Sequence, residues 1–157
     1  IIDDDMLVGK TALNKLLDEY ELDKHRVVGS FGRFIENGYV ASGTGNKNVD
    51  VVLTKLMVFP KELCSVFFAC RPHIEHIYKE GIPYGNGEDI FFSFVAAIYH
   101  GQPNYCMRVN FSELDGAFGK DAISRRAPNH DAYRRRLCAY LIENREIFKS
   151  AIAKLKQ

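Results

Sequence analysis

A chain of 157 residues, 46% apolar and 26% charged, has the length to bury one globular core, and this composition excludes disorder. A net charge of +1 excludes a protein whose affinity rests on a broad basic surface, so nucleic acid is not an expected partner. No run reaches the roughly 18 apolar residues of a membrane helix, and no Pro/Gly-rich linker or repeat divides the chain, so residues 1–157 are read as one domain.

Ile1-Ile2 read as the end of a buried strand, and the absence of an initiating Met implies sequence upstream. The acids Asp3-Asp4-Asp5 follow directly. In an open α/β sheet, ligands gather where strands end. In an extended segment Asp3 and Asp5 share one face and can address one ion, and hard carboxylate oxygens suit Mg²⁺ or Mn²⁺ beside diphosphate oxygens and water. Three consecutive acids suit a solvated loop or a helix N-terminus equally well.

Leu13, Leu16, Leu17 and Tyr20 recur at helical spacing and predict a helix over 11–20. Arg26-Val27-Val28-Gly29 reads as a short strand. The Gly-, Asn-, Ser- and Thr-rich stretch 38–48 reads as an irregular loop, with a strand over 49–53 behind it. Pro60 opens a helix over 61–68, and a second runs over 72–80 to Gly81 and Pro83.

Asn86-Gly87-Glu88-Asp89 precedes a strong helix in which Phe91, Phe94, Val95 and Ile98 share one buried face. A carboxylate in that first turn can be held by backbone N–H groups and stabilise, or attack, an oxocarbenium-like centre; helix capping is the competing explanation. A strand is predicted over 105–109. One last helix is predicted over 130–155, with Leu137, Leu141, Phe148, Ile152 and Leu155 as its stripe. At its start His130 and Arg134, four apart, share a face and suit a departing diphosphate, although a solvated basic helix start has the same pattern. Cys64, Cys70, Cys106 and Cys138 lack zinc spacing and read as buried thiols, with one disulfide open in a secretory lumen. Alternating strands and helices favour an α/β domain with a mostly parallel sheet.

The segments IIDDDMLV, VVGSFGR, VDVVLTKLMVFPKEL, NGEDIFFSFVAA and HDAYRRRLCAYL, in this order, resemble glycosyltransferase family 64, the C-terminal domain of exostosin and exostosin-like proteins, from Ile1 to about Phe148. The resemblance implies a GT-A type fold, with a mostly parallel sheet flanked by helices. It also implies Mn²⁺ dependence and transfer with retention of configuration from a UDP-sugar or other nucleotide-sugar donor to a glycan or glycolipid acceptor. Animal members build heparan sulfate with N-acetylglucosamine, and plant and other relatives include enzymes that glycosylate sphingolipids, so the resemblance implies an N-acetylhexosamine or another hexose without fixing which sugar or acceptor.

By the same resemblance Asp5 and Asp3 hold the metal as a DxD motif. Asp3, Asp4, Asn86, Glu88 and His130 bind the donor, and Asp89 and Arg134 are catalytic. The family's nucleotide-binding βαβ half, which precedes the DxD motif, has no counterpart here, and Gly87 stands where animal members carry a cysteine. A Golgi or endoplasmic reticulum lumen, membrane anchoring in the full-length protein and homo- or hetero-oligomers are compatible with the family. The alternative is a non-catalytic carbohydrate-binding or partner subunit of a glycan synthase; a metal-dependent hydrolase lacks a second general base.

Overall fold

The computed structural model describes all residues except 4–5, 36–37, 43–44, 80–86, 111 and 114–128. It is a mixed α/β structure. Strand β2 (Val28–Gly29) lies inside a sheet of order β5-β8-β2-β7, with β5 Lys47–Val49, β7 Met57–Val58 and β8 Asn104–Cys106. A second sheet has the order β4-β3-β6, formed by Val40–Ala41, Gly32–Phe34 and Val51–Val52, and β1 (Met6–Leu7) pairs with β9 (Ser112–Glu113).

The expectation of a mostly parallel sheet is corrected. Among the described strands only β2 and β8 run parallel, and the other pairings are antiparallel. The connection between β3 and β4 shows why for that pair: residues 35–39 join them. A link that short cannot make the crossover of about a dozen residues or more that a parallel pair needs. Only the long excursion through the helices brings β8 back parallel to β2.

Ile1 and Ile2 pair as expected but are not buried. The amino group of Ile1 donates to the Met57 carbonyl at 2.8 Å, Met57 N–H donates back to Ile1 at 3.0 Å, and Asp3 N–H donates to the Lys55 carbonyl at 3.0 Å. The segment thus lies along β7 as an extended edge, with Ile1 and Ile2 side chains 55% and 47% exposed. Gly29 is required at its strand position, because a Cβ there would stand 2.3 Å from Val52 Cγ1 and 2.5 Å from the Leu56 carbonyl oxygen.

Helix α1 (Lys10–Leu22) buries Ala12 and Leu16 against Val28 and Leu56, while Leu17 is exposed; the predicted stripe is rotated so that small Ala12 faces the sheet. Pro60 precedes α2 (Glu62–Cys70) as predicted. The helix expected over 72–80 is instead a 3₁₀ turn (Arg71–His73) followed by α3 (Glu75–Lys79); Pro72 supplies no N–H and lies in the 3₁₀ turn. The strand predicted over 105–109 spans 104–106, and the loop predicted over 38–48 contains β4 and the start of β5.

Helix α4 (Glu88–His100) is the centre of the helical layer, packed against α2, β6 and the two C-terminal helices α5 (His130–Glu143) and α6 (Arg145–Leu155). The last two were expected as one helix. They part at Asn144, whose side-chain Nδ2 donates to the Tyr140 carbonyl at 2.9 Å, a local bond that competes with helix continuation. Leu137, Leu141, Phe148 and Ile152 are buried as predicted; Leu155 is exposed.

Two polar contacts fix α4 to the sheets. Buried Ser93 Oγ accepts from Val52 N–H at 3.0 Å and donates to the Val52 carbonyl at 3.1 Å. Asn104 Nδ2 donates to the carbonyls of Asp50 and Ser93 at 2.7 and 2.9 Å. The helix therefore has little freedom to slide, and its first turn is placed by the sheets below. All four cysteines are free thiols, with Cys64 exposed and the other three buried. Among the described residues no helix is long and apolar enough to cross a membrane.

Candidate active site

The N-terminus of α4 meets the second turn of α5. Gly87, just before α4, has φ 98°, and a Cβ there would lie 2.6 Å from Leu137 Cδ2. Only glycine takes that backbone without strain and leaves Leu137 its space. The departure from the family's cysteine at this position thus matches the packing. Gly87→Ala is expected to cost about 1–3 kcal/mol of stability, read as a lower urea midpoint; an unchanged midpoint would show that Leu137 gives way freely.

Asp89 and Arg134 come together here. Arg134 is three residues before Leu137, so both side chains reach toward α4. Arg134 Nη2 donates to Asp89 Oδ1 at 2.7 Å and Oδ2 at 2.6 Å, and Ile90 N–H donates to Asp89 Oδ1 at 2.8 Å. Both side chains are buried, with Asp89 5% and Arg134 8% exposed. Burial, the largest single influence, pulls the Arg134 pKa down, but Asp89 and Tyr39 together outweigh it and raise it. Asp89 is therefore neither a solvated acid nor a simple helix cap; it joins α4 to α5.

Glu88 is half-buried. Burial pushes its carboxyl above the ordinary range, and the neighbouring Asp89 charge adds to this, with Asp3 acting in the same direction. Its Oε2 is shut off from solvent and has no hydrogen-bond partner among the described residues. Asp3 thus lies within electrostatic reach of the α4 N-terminus. His130, one turn before Arg134, is partly buried, and burial followed by the Arg134 charge lowers its pKa.

One participant was not foreseen. Tyr39 lies in the stretch read as a loop, at φ 66°, directly after Gly38 at φ 83°. The Arg134 Cζ is 4.7 Å from its ring centroid and the Arg33 Cζ 5.9 Å. Burial pushes its hydroxyl pKa up to about 12, against the pull of the Arg134 charge. A lone tyrosine in a polar loop carries no periodicity, so the Gly38-Tyr39 step was its only local signal.

The structure thus gathers Glu88, Asp89, His130 and Arg134, with Asp3 in electrostatic reach. Asp4, Asp5 and Asn86 lie outside the described residues. Among the described residues no three His, Cys, Asp or Glu side chains are grouped to hold a metal ion. Those present, Asp3 and the orphaned Glu88 oxygen, are hard oxygen donors with an excess of negative charge, which fits an oxygen-seeking divalent cation.

A model of the glycosyl transferase family 64 domain matches residues 1–144, which takes in everything from the N-terminal edge segment through α5 and leaves α6 outside. No curated protein matches the chain.

Proposed function

Because this chain belongs to glycosyltransferase family 64 and is a glycosyltransferase, we propose that it moves a hexose or N-acetylhexosamine, with retention of configuration, from a UDP-sugar to a glycan or glycolipid acceptor on a GT-A type fold. The observation that carries the reading is the Asp89 carboxylate, fixed by Ile90 N–H and Arg134 at the end of a helix that the sheets hold rigid. A carboxylate so fixed stabilises positive charge at an anomeric carbon without reorganising. Glu88, with an oxygen lacking a partner among the described residues, orients sugar hydroxyls. Asn86 and His130 complete the donor side, and the charge of Arg134 offsets the negative charge that gathers on a departing diphosphate.

Asp5 and Asp3, with Asp4 on the donor, are the residues that would hold Mn²⁺. When bound, the ion neutralises charge on the diphosphate oxygens. The main-chain pairing of Asp3 with Lys55 supports this, since it brings Asp3 to the edge of the sheet. Asp5→Asn is expected to weaken Mn²⁺-dependent UDP binding by about tenfold or more in calorimetric titrations, because the site loses a charged ligand. Equal affinity in wild type and mutant would remove Asp5 from the metal site.

A further inference from the structure

We infer that Tyr39 is a positioning residue for the catalytic pair, holding the Arg134 guanidinium in place against Asp89. This rests on the transferase reading above. Three features of the structure carry it.

The first is contact. The Tyr39 ring lies 4.7 Å from Arg134 Cζ, within the range of a cation–π interaction, and its hydroxyl accepts a hydrogen bond from the same guanidinium. Arg134 is thus held at two points by Tyr39 as well as by the carboxylate. The second is burial: Asp89 and Arg134 are almost inaccessible, so the guanidinium orientation is set by protein groups. An arginine stem has several rotatable bonds, and a planar ring against the guanidinium restricts rotation about them. The third is strain. Tyr39 sits in the left-handed region at φ 66°, which a side chain this large rarely adopts. Such strain persists where the surroundings impose it, and it collects at functional sites. Without the ring contact, asparagine or glycine would suit this backbone better.

Two replacements separate ring from loop. Tyr39→Asn deletes ring and hydroxyl but tolerates the left-handed backbone. Tyr39→Phe deletes the hydroxyl alone. Arginine-selective ¹⁵N NMR of the substrate-free chain reads the guanidinium directly. Slow rotation of the Arg134 Nη groups is expected in wild type, an intermediate state in Tyr39→Phe, and rapid averaging in Tyr39→Asn. With nucleotide-sugar donor, Tyr39→Asn is expected to lower kcat by about ten- to a hundredfold, the scale of a small misplacement in a catalytic group, with KM for the donor little changed. In an Arg134→Ala background Tyr39→Asn is expected to add no further loss, since the tyrosine acts through the arginine.

Unchanged Arg134 rotation in Tyr39→Asn overturns the inference whatever the activity. So does wild-type kcat in that mutant, a loss confined to KM, or an additive loss in the double mutant. If the wild-type chain transfers no sugar, the transferase mechanism fails for this chain, and the NMR comparison still decides whether Tyr39 holds Arg134.

Discussion

Asp89→Asn is expected to transfer sugar at least about a hundredfold more slowly than wild type. Asparagine keeps the shape and one acceptor oxygen, so Ile90 N–H and the Arg134 guanidinium each still have a partner within reach. The negative charge is lost, and with it the means of stabilising a positive anomeric carbon in a site with little water to do so. The structure also predicts a stability cost, because Arg134 is buried and loses its counter-charge. A neutral acceptor in place of a charged one costs about 1–3 kcal/mol, or a fall of several degrees in Tm for a chain of this size. Turnover measured with labelled donor well below the mutant's Tm separates the two effects. Wild-type turnover from the folded mutant would leave Asp89 with only its structural task of tying α4 to α5.

Arg134→Ala has the larger effect on the fold. Removing one member of a buried ion pair leaves an uncompensated charge, at a cost of about 3–5 kcal/mol. Asp89 would be left nearly inaccessible, at 5% exposure, still accepting from Ile90 N–H but without its counter-charge. Turnover is expected to fall by about two to three orders of magnitude, the usual loss for a key electrostatic group, and to fall more than donor binding does. The reason is that Arg134 both orients the carboxylate and opposes charge that develops only as the sugar leaves. Arg134→Gln, which keeps a donor for Asp89, is a gentler companion should the alanine variant be too unstable to assay. Equal losses in turnover and in calorimetric donor affinity, or no loss in either, would make this arginine a purely structural charge.

The elements with strong periodicity were legible in the sequence. Phe91, Phe94 and Val95 announced α4 and its buried face, and Pro60 marked the start of α2. The residues that meet at the site were also visible, because acids after Gly87 and a His/Arg pair four apart stand out against apolar neighbours. Their pairing was not visible. Asp89 was assigned to the sugar and Arg134 to the diphosphate, with no contact foreseen between them, whereas the fold joins them across 45 residues of sequence. Spacing along the chain carries no information on which helix end meets which turn. Strand direction was missed for a related reason: alternation of strands and helices was read without weighing connections as short as residues 35–39 between β3 and β4. The long C-terminal helix failed at Asn144, where one side chain's preference for its own backbone outweighs a continuous apolar stripe.

The pairing of Ile1–Asp3 along β7 sets a tolerance on the proposed metal site. Side chains on an extended strand alternate between faces, so a slip of one residue against Lys55–Met57 would turn the Asp3 carboxylate to the opposite side and put a neighbouring side chain in its place. Nothing in the side chains of Ile1 and Ile2 resists such a slip, since both are largely exposed and fill no socket in the core. The register is kept instead by main-chain bonds, those of Ile1 with Met57 and of Asp3 with Lys55. Amide exchange at Asp3 and Met57 therefore serves as a gauge of the proposed metal site: faster exchange at these two positions, with the core amides unchanged, marks molecules in which Asp3 has lost its alignment.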